Sequence, residues 1–145
     1  MKIEFTKDQF ENLMKLAYLG NWMVNAFRVK DEQVKEFDDL EEYIYSFAKE
    51  AGLEKYAVYE EEFKKYFPTG ELEEELDHYL DEYRDEIFWE ELIYRMAWRD
   101  FVKEYGEKAA KKMSWKKRIK KERPFIDKYA EEFEKDGIVN LVIKK

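Results

Sequence analysis

The stretch that decides the fold is Lys7–Arg28, KDQFENLMKLAYLGNWMVNAFR, directly after Thr6. Thr6 reads as a helix N-cap, and Gln9 three residues on completes a capping box. Phe10, Leu13, Leu16, Ala17, Val24 and Phe27 share one broad face, while Tyr18, Leu19, Trp22 and Ala26 occupy roughly the other. A helix apolar around most of its circumference belongs inside a bundle or at an oligomer interface. Gly20 in its middle costs about 1 kcal/mol against Ala, which suggests that another backbone approaches closely there.

Outward from this helix the pattern stays helical. Asp31–Gly52 carries Val34, Phe37, Leu40, Tyr43, Ile44, Phe47, Ala48 and Ala51 at spacings of three and four, with Gly52 as C-terminal cap. Leu53–Phe67 is short and ambiguous. Thr69 caps a third stretch with Glu71 and Glu73 in its first turn, where the macrodipole favours anions. Its stripe is Leu72, Leu76, Tyr79, Leu80, Tyr83 and Ile87. From Phe88 to Val102 apolar residues surround the axis, so Asp85–Tyr105 reads as a second central helix, with a bend near Tyr83–Asp85 and a stop at Gly106. Pro124 suits a first helical position, and Phe125, Ile126, Tyr129, Ala130 and Phe133 form an amphipathic stripe ending at Asp136-Gly137. Ile138–Ile143 reads as a strand, with Ile3–Phe5 as its sole candidate partner.

The expectation is an all-α compact helical bundle of about five or six helices, forming a single domain over residues 1–145. A minor two-stranded ribbon would join the N- and C-terminal segments. Lys7–Arg28 and Asp85–Tyr105 should be the most buried elements. EEYIYSFA at 41–48 echoes EELIYRMA at 90–97 in five of eight positions, which composition alone explains.

The 145 residues include no Cys, one His, and five Gly outside any phosphate-loop arrangement. Disulfide scaffolds, thiolate chemistry, two-imidazole sites and the common nucleotide loops are therefore excluded. No run of 18 apolar residues suggests a membrane span, and MKIEFTKDQFENL has no secretory h-region. The expected location is the cytoplasm. Lys, Arg, Asp and Glu total 62 against ten Ser, Thr, Asn and Gln, a thermophile-like skew. The protein is acidic, with net charge −8, but unevenly so. Asp31–Glu91 carries 23 acidic and 6 basic residues; Leu92–Lys128 carries 13 basic and 5 acidic.

Three constellations have chemical content. Asn21, Asn25 and Arg28 on the first helix, with Arg95 and Arg99 in LIYRMAWRDFV, are polar groups on helices expected to be buried. Buried guanidinium groups need specific partners, either internal carboxylates such as Glu91 and Asp100 or an anionic ligand framed by Trp22 and Trp98. Glu71, Glu75, His78 and Glu82 share a helix face, and Glu75-x-x-His78 is the unit that di-iron carboxylate bundles use twice. Placed at 100° per residue, His78 falls about 140° from the apolar stripe, which directs this face to water. Glu71-x-x-Glu74 and Glu82-x-x-Asp85 are similar in letter to the Mg²⁺-holding pairs of all-helical nucleotide pyrophosphatases, although they fall on one helix rather than two. Finally, SWKKRIKKER at 114–123 offers Trp115, Lys116, Lys117, Arg118, Lys120 and Lys121 to nucleic acid, or packs against the chain's own acidic helices.

The reading these features support is a non-enzymatic protein-interaction or regulatory domain without a cofactor, binding another protein or a small anion and forming a homodimer. The alternatives are a Mg²⁺-dependent nucleotide phosphohydrolase using Glu71, Glu74, Glu82 and Asp85, and nucleic-acid binding through the basic 108–123 segment.

Overall fold

A computed structural model describes residues 2–143. Five α-helices and one small antiparallel sheet make up the described chain: α1 (Lys7–Asn25), α2 (Lys35–Tyr45), β1 (Ala57–Glu60), β2 (Lys65–Pro68), α3 (Gly70–Tyr105), α4 (Glu107–Lys112) and α5 (Trp115–Asp136). The helical class with a minor ribbon is as expected. No helix among the described residues is long and apolar enough to cross a membrane. The chain divides into two compact units, 1–81 and 82–145, and α3 contributes to both.

In the first unit the Thr6 hydroxyl accepts from the Gln9 amide at 3.2 Å, and the Gln9 side chain accepts from the Thr6 amide at 2.9 Å. That reciprocal cap starts α1 as its sequence predicts. Met14 of α1 packs with Tyr45, Ala48, Leu53, Tyr56, Leu72 and Leu76 in one apolar cluster. α2 is shorter than its periodicity suggests. After Tyr45 the chain passes through successive turns, and the Ser46 hydroxyl donates to the Tyr43 carbonyl at 2.7 Å. This local bond competes with helix continuation. The segment closes at Gly52, whose φ of +66° few other residues adopt and whose carbonyl accepts from Lys7 Nζ at 2.8 Å.

The ribbon is not where the sequence put it. β1 and β2 pair with Ala57 opposite Pro68 and Tyr59 opposite Tyr66, so the ribbon occupies the ambiguous 53–67 segment and ends one residue beyond it. Ile3–Phe5 and Ile138–Ile143 form no strand. The apolar run IVNLVI has the right composition, but Ile138–Asn140 instead turn directly after Gly137. Alternation in VYE and KYF is too brief to stand out from sequence, and cross-strand ring packing of Tyr59 and Tyr66 at 5.0 Å supplies the pairing.

α3 begins at the predicted cap: the Thr69 hydroxyl donates to the Lys55 carbonyl and accepts from the Leu72 amide. One 36-residue helix runs through the Tyr83–Asp85 region in place of the two that were read. Every residue from 81 to 88 is exposed, so this middle portion of the helix gains little from packing. In the second unit Phe101 is fully buried and ringed by Trp98, Tyr105 and Phe125, while Ala97, Tyr129 and Phe133 form the adjoining cluster. Pro124 lies inside α5 rather than at its start, because the lysine-rich 115–123 segment is already helical.

Burial also departs from expectation. α1 buries only Met14 and Asn25, and the remainder of its apolar surface is partly or wholly open.

Candidate functional site

The open surface of α1 is organised. Leu13, Leu16, Ala17 and Gly20 line a groove of about 240 Å³ with Phe37, Leu40 and Ile44 of α2. Spacing continues the stripe to Met23, giving 13, 16, 20 and 23, the three-four alternation of a helix-pairing seam, and Phe27 follows in the turn after the helix. Leu16 is 66% and Phe27 75% exposed. No atom lies within 4 Å of where a Cβ on Gly20 would sit. The close backbone approach that Gly20 implies is therefore made by nothing in the described chain. From Leu16 to Phe27 there is no charged residue, in a sequence that is 43% charged.

Glu41 also lines this groove and is buried. Asn21 Nδ2 donates to one of its carboxylate oxygens at 2.5 Å and the Tyr45 hydroxyl to the other at 3.0 Å. Burial pushes the Glu41 carboxyl up to about 7, more than these two hydrogen bonds pull it down, and Asp38 adds repulsion. Burial, then the Glu41 carboxylate, raises the Tyr45 hydroxyl as well. Asn25 completes the network: its amide nitrogen donates to Asn21 at 2.7 Å and to the Val34 carbonyl, and its oxygen accepts from the Val34 amide at 2.8 Å. Val34 immediately precedes α2, so Asn21 and Asn25 dock that helix's start onto α1.

A second polar cluster in the first unit holds Lys15 between Glu11 and Glu75, with the Tyr56 hydroxyl donating to Glu75 at 2.5 Å and lying 3.2 Å from a Glu11 carboxylate oxygen. Hydrogen bonds from Lys15 hold both carboxyl groups below the ordinary range. Burial pulls Lys15 down, but its bonds to the two carboxylates outweigh this and raise it.

The second unit contains a cleft of about 670 Å³ between α3 and α5, closed on one side by residues 140–142. At its centre Asp100 accepts from Arg99 Nε at 2.9 Å and from the Tyr129 hydroxyl at 2.5 Å, with Lys128 Nζ at 3.7 Å. Arg99 Nη2 also donates to the Tyr129 oxygen at 2.8 Å. The hydrogen bond from Arg99, then that from Tyr129, holds Asp100 below the usual carboxylate range. Burial and Asp100 together raise Tyr129.

Other residues singled out by sequence are dispersed. The guanidinium of Arg28 lies 4.5 Å from the Phe27 ring, and Trp22 is half-buried. These belong to the first unit, whereas Arg95, Trp98 and Arg99 belong to the second. Arg95 is not buried as expected: its side chain is exposed and pairs with Glu91 at 2.8 Å, one helical turn away. Arg99 is likewise exposed, since the apolar residues flanking both arginines use only part of the helix circumference.

His78 is exposed against the Tyr79 ring, Glu71 pairs with Lys55 at 3.4 Å, and Glu74, Glu82 and Asp85 are exposed. Among the described residues, no group of three or more acidic or His side chains converges on a point that could hold a metal ion. In the basic segment Trp115 is exposed. Arg118 lies 5.8 Å from the Trp98 ring and pairs with Glu122, and Lys121 lies 4.1 Å from the Tyr105 ring. Lys116, Lys117 and Lys120 are exposed on α5.

Sequence reading missed Glu41, Lys103, Lys128 and the seam as such. The seam had a signal in its spacing and its charge-free run. Glu41 had none, being one acid among many in 31–50. No known protein family, curated protein or solved structure matches this chain.

Proposed function

We propose that this chain is a non-enzymatic helical interaction module acting through the α1/α2 face, and that the face docks a second copy of itself. The observation that carries this reading is Gly20: a helix-interior glycine at the middle of an exposed apolar seam, with open space above it. Among the described residues, no other element fills that space.

Area and charge agree. Leu16, Met23, Phe27, Phe37 and Leu40 together expose roughly three whole side chains' worth of surface, on the order of 600 Å² at about 200 Å² each. A standard interface buries about 800 Å² per partner. The first unit carries 21 acidic and 10 basic residues, so most of its surface repels a copy of itself. Leu16–Phe27 is the uncharged run of this face, whereas α2 carries Glu36, Asp38, Asp39 and Glu42, so two copies meet without opposing like charges only with the axis over α1. A two-fold axis there pairs the seam with itself.

Sedimentation equilibrium at micromolar concentration tests the proposal. The expected mass is twice the 17.9 kDa of the chain. Gly20→Glu, which fills the open space with a charge, should return the monomer with its helical circular dichroism intact. A native protein that sediments at 17.9 kDa overturns self-association.

A further inference from the structure

The cleft of the second unit has a chemical bias that its internal bonds do not exhaust. Arg99, Lys103 and Lys128 supply three positive charges to its lining, and Asp100 and Glu132 supply two negative ones. Both carboxylates are already engaged. Asp100 receives Arg99, Tyr129 and Lys128, and Glu132 Oε1 accepts from Asn140 at 2.6 Å. Of the cations, Lys128 is paired with Asp100, but Arg99 and Lys103 keep donors to spare. A guanidinium has five N–H donors, and the bonds of Arg99 to Asp100 and Tyr129 leave some of them uncommitted. Lys103 lies one helical turn beyond Arg99 and makes no hydrogen bond or ion pair among the described residues. The remaining walls are apolar: Met96, Phe133, Leu141 and Val142.

We propose that this cleft binds an amphiphilic organic carboxylate, its head group held by Lys103 and the outer N–H groups of Arg99, its apolar body against Phe133 and Leu141. The surplus of a single positive charge selects a monoanion over a phosphate dianion. A planar carboxylate matches the fork of a guanidinium, which is already fixed by Asp100 and Tyr129 and so loses little freedom on binding. The volume lies within the range of small-molecule pockets, about 300–1,000 Å³. Tyr129 acts as a positioning residue: its hydroxyl bridges Arg99 and Asp100 and holds the fork in place.

Isothermal titration of the full chain at low ionic strength tests this, with sodium octanoate, octanamide and inorganic phosphate as probes. Octanoate should bind at one site per chain. Octanamide, with the same body and no charge, should bind at least about tenfold more weakly, and phosphate should give no heat. Lys103→Gln, at an exposed position, should weaken octanoate about fivefold while leaving the ligand-free melting temperature unchanged. Val142→Asp, which adds a like charge at the lip, should weaken it further. Equal binding of octanoate and octanamide, phosphate binding as tight as octanoate, an unaltered affinity in Lys103→Gln, or no octanoate heat at millimolar concentration would each overturn the proposal.

Discussion

Glu41→Gln isolates one buried carboxyl. In the folded protein the Glu41 carboxyl sits near 7, against 4.5 for an exposed glutamate, chiefly because burial penalises the anion. Below about pH 4.5 both folded and unfolded chains hold the proton, and the group is neutral to stability. Between 4.5 and about 7 the unfolded chain releases it while the native chain retains it, so stability falls as pH rises. Above about 7 the loss is complete, and at 1.36 kcal/mol per pH unit it amounts to about 3 kcal/mol. Gln is isosteric and never ionises. Its amide oxygen can accept from Asn21 and its NH₂ can donate to the Tyr45 oxygen, so the network survives. The variant should match the native protein near about pH 4.5 and exceed it by up to about 3 kcal/mol near about pH 8. Urea unfolding across this range, followed by Trp22 fluorescence in an otherwise Trp-free background, reads the difference. Subtracting native from variant cancels the carboxylates of the Lys15 cluster, whose pH dependence has the opposite sign. A difference that stays constant from acid to base would refute the argument that Glu41 pays a desolvation penalty in the folded state.

The remaining predictions concern separate parts of the molecule. At concentrations low enough to dissociate the dimer, Gly20→Ala should stabilise the monomer by about 1 kcal/mol in thermal unfolding, because helix propensity improves and no other element lies within 4 Å of the new methyl; a loss of stability in the monomer would mean that the chain itself fills the space. Phe101→Ala should cost about 3–5 kcal/mol and abolish near-ultraviolet dichroism from the second unit, while Trp22 in the first unit reports no change. Glu11 and Glu75 stabilise the fold above their ordinary pKa of 4.5 and lose that contribution as pH falls below it. Lys15→Met should flatten this acid limb and cost about 1 kcal/mol at neutral pH, measured by urea unfolding. Mg²⁺ should leave the melting temperature unchanged; stabilisation that vanishes in Glu82→Ala would replace the interaction reading with the phosphohydrolase one.

What was legible followed from local rules. Thr6 with Gln9 and Thr69 with its acidic first turn marked two helix starts, because capping bonds close within four residues. The helical class followed from three-four periodicity sustained along most of the chain. The ribbon at 57–68 was not legible, since four-residue strands carry almost no periodic signal. Arg95 and Arg99 were misplaced for another reason. Apolar neighbours on a helix say that one side packs, but not how much of the circumference the neighbouring elements cover. The cleft around Asp100 joins residues about thirty apart in sequence, Arg99 with Tyr129, and no local rule brings those together.

The exposed middle of α3 has a consequence for synthesis. Every buried residue of the first unit's core, from Met14 to Leu76, lies before residue 82, so that core can close while the rest of the chain is still being made. Closing it fixes the first turns of α3 from Gly70 onward. Starting a helix is the costly step, and lengthening one is not. Trp89, Ala97 and Phe101 therefore leave the ribosome as additions to a helix that is already wound, and the second unit begins folding with one of its walls in hand.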